Sequence, residues 1–316
     1  MKRTILLFSL AALVAGCSSD DPSVESMQMN SSATTLYYDS ELPTLSMTIT
    51  PDNAKDKSLV WNSSKPEVLD VDADGKLTLK KFEYTTVIIT ATNEASGQTA
   101  SCEITLAIKK AKIEDYGIIE LKNKLGFDLL DRNLGATCAY SKTNTDEQKE
   151  AAIGDYYQFG NSIPVATVKG TNKYYDKKAN GGDLDWSKAE NTPCPEGWRI
   201  PNQAEMKKLT DAAWVDWDGF FQTDEEFYAA KDLYNSLLLP AGGYYKLVGD
   251  SESEREEATP SIYLAGASFF WSCELNATTP TSDRGFKYAY DFEDNNMVIM
   301  GKKAEAVNAM PIRCIK

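Results

Sequence analysis

Between Met27 and Ile108 apolar residues alternate with polar ones in short runs: Leu45, Met47 and Ile49; Leu59 and Trp61; Leu77 and Leu79; Val87, Ile89 and Ala91; then Cys102, Ile104, Leu106 and Ile108. A period of two puts every second side chain on one face of a strand, and turn signals such as Asp74-Gly75 separate the runs. Strands at this spacing predict an all-β sandwich over residues 27–108. Cys102 shares the apolar face of its strand, which makes it the candidate for a buried, unpaired thiol. From 116 to 316 the periods are mixed, as in an α+β domain. Asn202-Gln203-Ala204-Glu205 has the spacing of a capping box ahead of Met206 and Leu209, where a helix begins. Phe227, Ala230 and Tyr234 share one face of a second helix, over 223–235. Phe286, Tyr288, Tyr290 and Phe292 alternate along a strand, 293–296 turns, and Met297 to Met300 returns. Met310, Ile312 and Cys314 fall on one face of a last strand. The charged stretch 109–115, where the pattern changes, is read as a linker.

The N-terminus has another texture. Lys2 and Arg3 precede an apolar run from Ile5 to Val14, which ends in small residues and Cys17. A membrane span takes about 20 apolar residues, so this shorter run reads as a secretory signal over 1–16. Leu13-Val14-Ala15-Gly16-Cys17 resembles the lipobox of bacterial lipoproteins, which implies lipid on Cys17 and a lipidated linker over 17–26. Ordinary cleavage after Ala15 or Gly16 would instead leave Cys17 free. Ser18-Ser19-Asp20-Asp21 resembles the acidic tag that sends lipoproteins of Bacteroidetes-type bacteria to the outer face of the outer membrane, although a solvated linker has the same residues.

Composition narrows the chemistry. The chain of 316 residues carries 33 basic and 47 acidic residues, a net charge of −14. Loss of Lys2 and Arg3 with the signal leaves 31 against 47, or −16. Such a surface repels phosphate backbones, so no nucleic-acid partner is expected. There is no histidine, which removes Ser-His-Asp and Cys-His nucleophiles and every His-ligated metal site. With Cys17 lipidated, five cysteines remain, an odd number that leaves at least one thiol unpaired or paired between molecules.

Residues 27–108 carry Val60-Trp61-Asn62-Ser63-Ser64, Pro66-Glu67-Val68, Val71-Asp72, Gly75-Lys76-Leu77-Thr78, Ile89-Thr90-Ala91-Thr92 and Cys102-Glu103-Ile104-Thr105-Leu106. These resemble the bacterial Ig-like domain of the second group, and the resemblance implies a spacer or adhesive stalk. The segment from Lys80 to Thr85 departs from that family, which usually has a glycine there. Within this region Asp70-Val71-Asp72-Ala73-Asp74-Gly75 reproduces half of an EF-hand loop, but Lys81 stands where a bidentate glutamate belongs. A hairpin turn accounts for the same residues.

Six motifs follow in order: Leu130-Asp131-Arg132-Asn133-Leu134-Gly135-Ala136, Gly154-Asp155-Tyr156-Tyr157-Gln158-Phe159-Gly160, Cys194-Pro195-Glu196-Gly197-Trp198-Arg199-Ile200-Pro201, Leu239-Pro240-Ala241-Gly242-Gly243-Tyr244, Phe270-Trp271-Ser272 and Ile312-Arg313-Cys314-Ile315. Together they resemble the Fibrobacter succinogenes major paralogous domain, a branch of the C-type lectin-like fold. The resemblance implies pairing of the first and last strands, with 129–134 beside 310–315, and a Cys194–Cys314 disulfide. Cys138 and Cys273 are less usual there, and a bridge between them is an expectation only.

The sugar-binding tripeptides of C-type lectins are absent, and Asn202 in Ile200-Pro201-Asn202 is better explained as a helix cap. Asp291, Glu293 and Asp294 could gather around calcium, but a solvated hairpin needs the same residues. Paired carboxylates such as Asp183 with Asp185 and Asp216 with Asp218 match no glycosidase pattern and read as surface charge. No enzymatic activity and no cofactor are expected. Aromatic faces bury well against apolar sugar faces, and Trp186, Trp217, Tyr244, Tyr245 and Tyr263 lie near loops, which makes them the ligand-facing candidates. Trp198 and Trp271 sit inside motifs and read as core. The sequence therefore predicts a lipid-anchored protein of the outer membrane, exposed at the cell surface, with an Ig-like stalk and a lectin-like domain for a glycan or protein ligand. A component of a surface or fimbrial assembly is the alternative, and a polysaccharide-acting enzyme comes third.

Overall fold

The computed structural model describes residues 22–30, 35–141, 143–178, 182–206, 208, 240, 242–247, 254, 257–263, 268–273, 285–291, 296–302 and 307–316, with only the backbone at 263, 268–269, 285–291 and 296–302. It is mainly β and divides into two compact units between Ala107 and Ile108.

The first unit contains β1 (Ser26–Met29), β2 (Thr35–Leu36), β3 (Met47–Thr50), β4 (Val60–Ser63), β5 (Leu69–Val71), β6 (Leu77–Leu79), β7 (Thr86–Asn93) and β8 (Gln98–Leu106). One sheet runs β2-β8-β7-β4; β1 pairs with β3, and β5 with β6. Strands β7 and β8 are antiparallel over their whole length, from Thr86 opposite Thr105 to Asn93 opposite Gln98. In β7 the buried positions are Val87, Ile89, Ala91 and Asn93, so the alternation in sequence is the alternation in space. Val87 and Ile89 form the core with Leu36, Leu45, Val68, Leu69, Leu77, Ile104 and Leu106, and Cys102 packs against it half-buried. Gly75, with φ of 77°, closes the β5–β6 turn where a Cβ would lie 2.4 Å from the Leu45 carbonyl oxygen; only glycine fits.

The structure corrects the first linker. Residues from Pro22 onward already belong to the unit: the Lys55 N–H donates to the Pro22 carbonyl (3.1 Å), Glu25 N–H to Thr50 (2.8 Å), and Val24 is buried. One apolar valine among polar residues docks the segment, and sequence alternation is too short there to reveal it.

The second linker is corrected likewise. Ala111 and Ile113 pack on the core of the second unit, the Ala111 N–H donates to Pro193 (2.9 Å), and the Lys110 ammonium donates to the carbonyls of Ala189 and Thr192, both at 2.6 Å. Burial lowers the pKa of Lys110, against the pull of Glu196 and Glu190.

The second unit contains β9 (Ile118–Ile119), α1 (Lys122–Leu125), β10 (Leu129–Leu130), α2 (Asp146–Ile153), β11 (Tyr156–Gln158), β12 (Pro164–Thr167), β13 (Gly170–Thr171), β14 (Tyr244–Lys246), β15 (Ser261–Tyr263), β16 (Ser268–Trp271), β17 (Gly285–Asp291), β18 (Asn296–Lys302) and β19 (Ala309–Met310). The main sheet runs β13-β12-β11-β19-β14-β15, with β16-β17-β18 and β9-β10 beside it. Helix α2 starts at a capping box that the sequence reading missed: Thr145 Oγ1 accepts from the Gln148 N–H (3.3 Å), and Gln148 Oε1 from the Thr145 N–H (3.0 Å). The box at Asn202 is also formed, Asn202 Oδ1 accepting from Glu205 N–H (2.8 Å) and Glu205 Oε2 from Asn202 N–H (2.9 Å). Glu205 further receives a two-pronged bond from Arg199, at 2.7 and 2.6 Å.

Residues 128–134 run beside 312–316, the arrangement the lectin-like resemblance implies. Leu130 N–H donates to Cys314 (3.1 Å), Leu134 N–H to Ile312 (3.0 Å), and Asp128 and Lys316 exchange bonds. Met310, Ile312 and Cys314 enter one core with Leu130, Leu134, Phe159, Trp186, Trp198 and Trp271. Phe292 and the helix expected over 223–235 lie outside the described residues.

Candidate functional site

Of the five aromatics expected to face a ligand, three lie in the core. Trp186 is 1% exposed, its ring 5.0 Å from Phe159 and 6.5 Å from Trp271, with its indole N–H donating to Ser162 Oγ (3.2 Å). Tyr244 and Tyr245 are 4% and 3% exposed on β14. Tyr245 meets Tyr156 edge-on at 5.1 Å and donates its hydroxyl to Thr167 (2.8 Å). Tyr156 and Tyr175 donate to the carbonyls of Gly242 (2.6 Å) and Val307 (2.8 Å), and burial raises all three phenolic pKa values. These phenols are donors that tie segments remote in sequence to one another. The sequence misleads here because an aromatic with one polar tip suits a sugar site and a wet-edged core equally. Tyr263 stands opposite Tyr244 in the β14–β15 register, with its backbone alone described, and Trp217 lies outside the described residues. Asp291 pairs in register with Asn296 at the end of β17–β18 where the chain passes from one strand to the other, while Glu293 and Asp294 lie outside the described residues.

A polar cluster that the motif residues build was not read as a site. The Arg313 guanidinium is fully buried, donating to Asn133 Oδ1 (2.9 Å) and to the Leu130 carbonyl (2.8 Å), with the Phe270 ring 6.0 Å away. Asn133 in turn donates to Ile153 (2.9 Å). Burial lowers the Arg313 pKa to about 9, so the group stays charged at neutral pH. At the margin of this cluster Arg132 grips Asp131 through two bonds of 2.8 Å and donates to the Thr137 carbonyl (3.2 Å). Burial opposes ionisation of Asp131, but Arg132 and the Gly117 N–H hold its carboxyl below the ordinary value.

Asp155 is strongly perturbed by its surroundings: burial raises its pKa to about 6. It lies over Gly135, where a Cβ would come within 2.2 Å of its Oδ2, and the Gly135 N–H donates to the Tyr116 hydroxyl (3.2 Å). Only its burial marks it, and burial is a tertiary property that no motif announces. Arg132 is occupied by Asp131, so the cluster reads as a rigid seam and not as an anion receptor.

Cys194 and Cys314 form a disulfide across a sequence separation of 120. Cys102, Cys138 and Cys273 form no disulfide, so the Cys138–Cys273 bridge is absent here; the Cys138 thiol instead donates to the Gln148 carbonyl (3.3 Å). In the β5–β6 turn Asp72 Oδ1 accepts from the N–H groups of Asp74 (3.0 Å) and Lys76 (2.9 Å), and Asp70 pairs with Lys80 at 2.6 Å. Those carboxylates are spent on the turn. No group of three or more His, Cys, Asp or Glu among the described residues is placed to hold a metal ion, and none of the described helices is long and apolar enough to cross a membrane.

Residues 1–18 match the family described as the prokaryotic membrane lipoprotein lipid attachment site. This defines a bacterial lipoprotein, anchored to a membrane through lipid, and Cys17 is the cysteine within the match. Two relatives, both uncharacterized proteins of Clostridium acetobutylicum, resemble part of it. One is 36% identical over 195 residues, taking in 46% of this chain and 20% of that protein; the other is 37% identical over 57 residues, 18% and 14% respectively. The chain spans a fifth or less of the length of these relatives.

Proposed function

We propose that this lipoprotein is exposed at the cell surface from the outer membrane and serves as a binding or adhesion module. In this reading the first unit is an Ig-like stalk and the second a lectin-like domain that takes a glycan or a protein. The observation that carries it is the order along the chain: a lipid attachment site, then a β unit, then a separately packed unit in which residues 128–134 pair with 312–316 around a disulfide. The absence of histidine from the sequence supports a non-enzymatic role. The burial of Trp186, Tyr244 and Tyr245 favours recognition by other surfaces of the second unit.

The test is a glycan array together with a pull-down, using the soluble chain from Ser18. Binding to a defined glycan or to one surface protein supports the reading. Capture of a fimbrial or surface-assembly subunit with no glycan bound favours the second reading, an assembly component. That reading draws on β4, which ends its sheet with no strand beyond it among the described residues and so offers an edge for strand addition.

A further inference from the structure

The lipid and the first folded residue are close along the chain. Pro22 is already bonded to Lys55, and Val24 is buried, so only residues 18–21 separate Cys17 from the first unit. Five residue steps reach at most about 18 Å even when fully extended. Pro22 lies at one identifiable end of that unit. Its neighbour Lys55 belongs to the loop 51–58, whose Asp56 and Ser58 carbonyls accept from the Asn93 amide at 3.0 and 2.9 Å. Asn93 ends β7 and faces Gln98, where β8 begins. Strand β8 then runs to Leu106, whose N–H donates to Thr85 (2.8 Å), and Ala107 donates to Leu36 (2.9 Å). Nine extended residues span about 27 Å, so the chain enters the first unit at one end and leaves it at the other.

We infer that the end of the first unit formed by the loop 51–58 and the β7–β8 turn is held against the lipid headgroup layer, and that its opposite end, with Ala107, is held away from it. The inference rests on lipid anchoring at Cys17 and is independent of what the second unit binds. The apposed end carries exposed Lys55 and Lys57 against exposed Asp52, Asp56 and Glu94, a mixed surface with no net attraction for anionic lipid. The short tether therefore imposes the contact. Surface charge does not.

The experiment uses the full lipidated chain in vesicles of phosphatidylethanolamine and phosphatidylglycerol containing a headgroup spin-labelled lipid. A fluorescent amino acid is introduced at exposed position 53, in the loop, or at exposed position 86, at the start of β7. Seven strand steps, about 23 Å, separate the two ends, so quenching should be about threefold or more stronger at 53 than at 86. A flexible Gly/Ser insert of 20 residues between Asp21 and Pro22 should reduce the quenching at 53 severalfold. Cys17→Ser should leave the same chain unbound when vesicles are floated. Equal quenching at both positions, or quenching at 53 that survives the insert, overturns the inference. Flotation of Cys17→Ser shows that the surface and not the tether makes the contact, and overturns it as well. None of these results depends on a ligand of the second unit, so the proposed binding function stands or falls separately.

Discussion

Replacing Asp155 with asparagine should stabilise the second unit at neutral pH, by an amount that depends on pH in a defined direction. In the folded protein burial lifts the carboxyl pKa from 3.8 to about 6. The folded state thus binds more protons than the unfolded state between those values, and stability falls as pH rises through that window. Two pKa units correspond to about 3 kcal/mol at 1.36 kcal/mol per unit. Asp155 keeps some contact with water, which screens the penalty, so the cost of the ionised carboxylate at pH 7.5 is about 1 to 3 kcal/mol. Asp155→Asn keeps the shape and removes the charge. Urea unfolding of the soluble chain from Ser18 at pH 7.5, 6 and 4.5, followed by tryptophan fluorescence, should show a gain for the variant that is largest at pH 7.5, shrinks through pH 6 and is smallest at pH 4.5. A difference that is flat across pH, or a loss of stability at pH 7.5, would refute the assignment of the raised pKa to burial.

Three further outcomes follow from named contacts. Replacing both Cys194 and Cys314 with serine opens a loop of about 120 residues and should lower stability, relative to the disulfide-bonded protein, by roughly 3 to 5 kcal/mol, read as a fall in urea midpoint that dithiothreitol does not deepen. Arg313→Lys keeps a charge but loses the planar fork that reaches Asn133 and Leu130; a loss of about 2 to 4 kcal/mol is expected in the same assay, and an unchanged midpoint would remove Arg313 from the seam. Asn202→Ala removes the acceptor for Glu205 N–H and should cost about 1 kcal/mol, whereas Asn202→Asp should restore most of it.

The first unit was legible because local alternation and burial coincide. Val87, Ile89 and Ala91 alternate in sequence, and all three are fully buried. The capping box at Asn202 was equally local. Other features depend on partners remote in sequence. Ala111 and Ile113 sit in a charged stretch and read as linker until Pro193 and the core of the second unit are brought to them. Trp186 finds its partners in Phe159 and Trp271, and nothing near position 186 says so. Asp155 shows the same limit from the side of charge: its motif was recognised, but its environment is assembled by the turn at Gly135 and by Tyr116. The Cys194–Cys314 pairing was open to family likeness and closed to spacing.

The position of β19 has a consequence for how the chain is made. Ala309 pairs with both Gln158 of β11 and Tyr245 of β14, so an inner strand of the main sheet comes from residues synthesised long after its neighbours. Until 309–316 emerge, β11 lacks that neighbour and 128–134 lack theirs. A nascent second unit therefore lacks an inner strand of its main sheet until this segment is made, and the Cys194–Cys314 disulfide cannot form before it either.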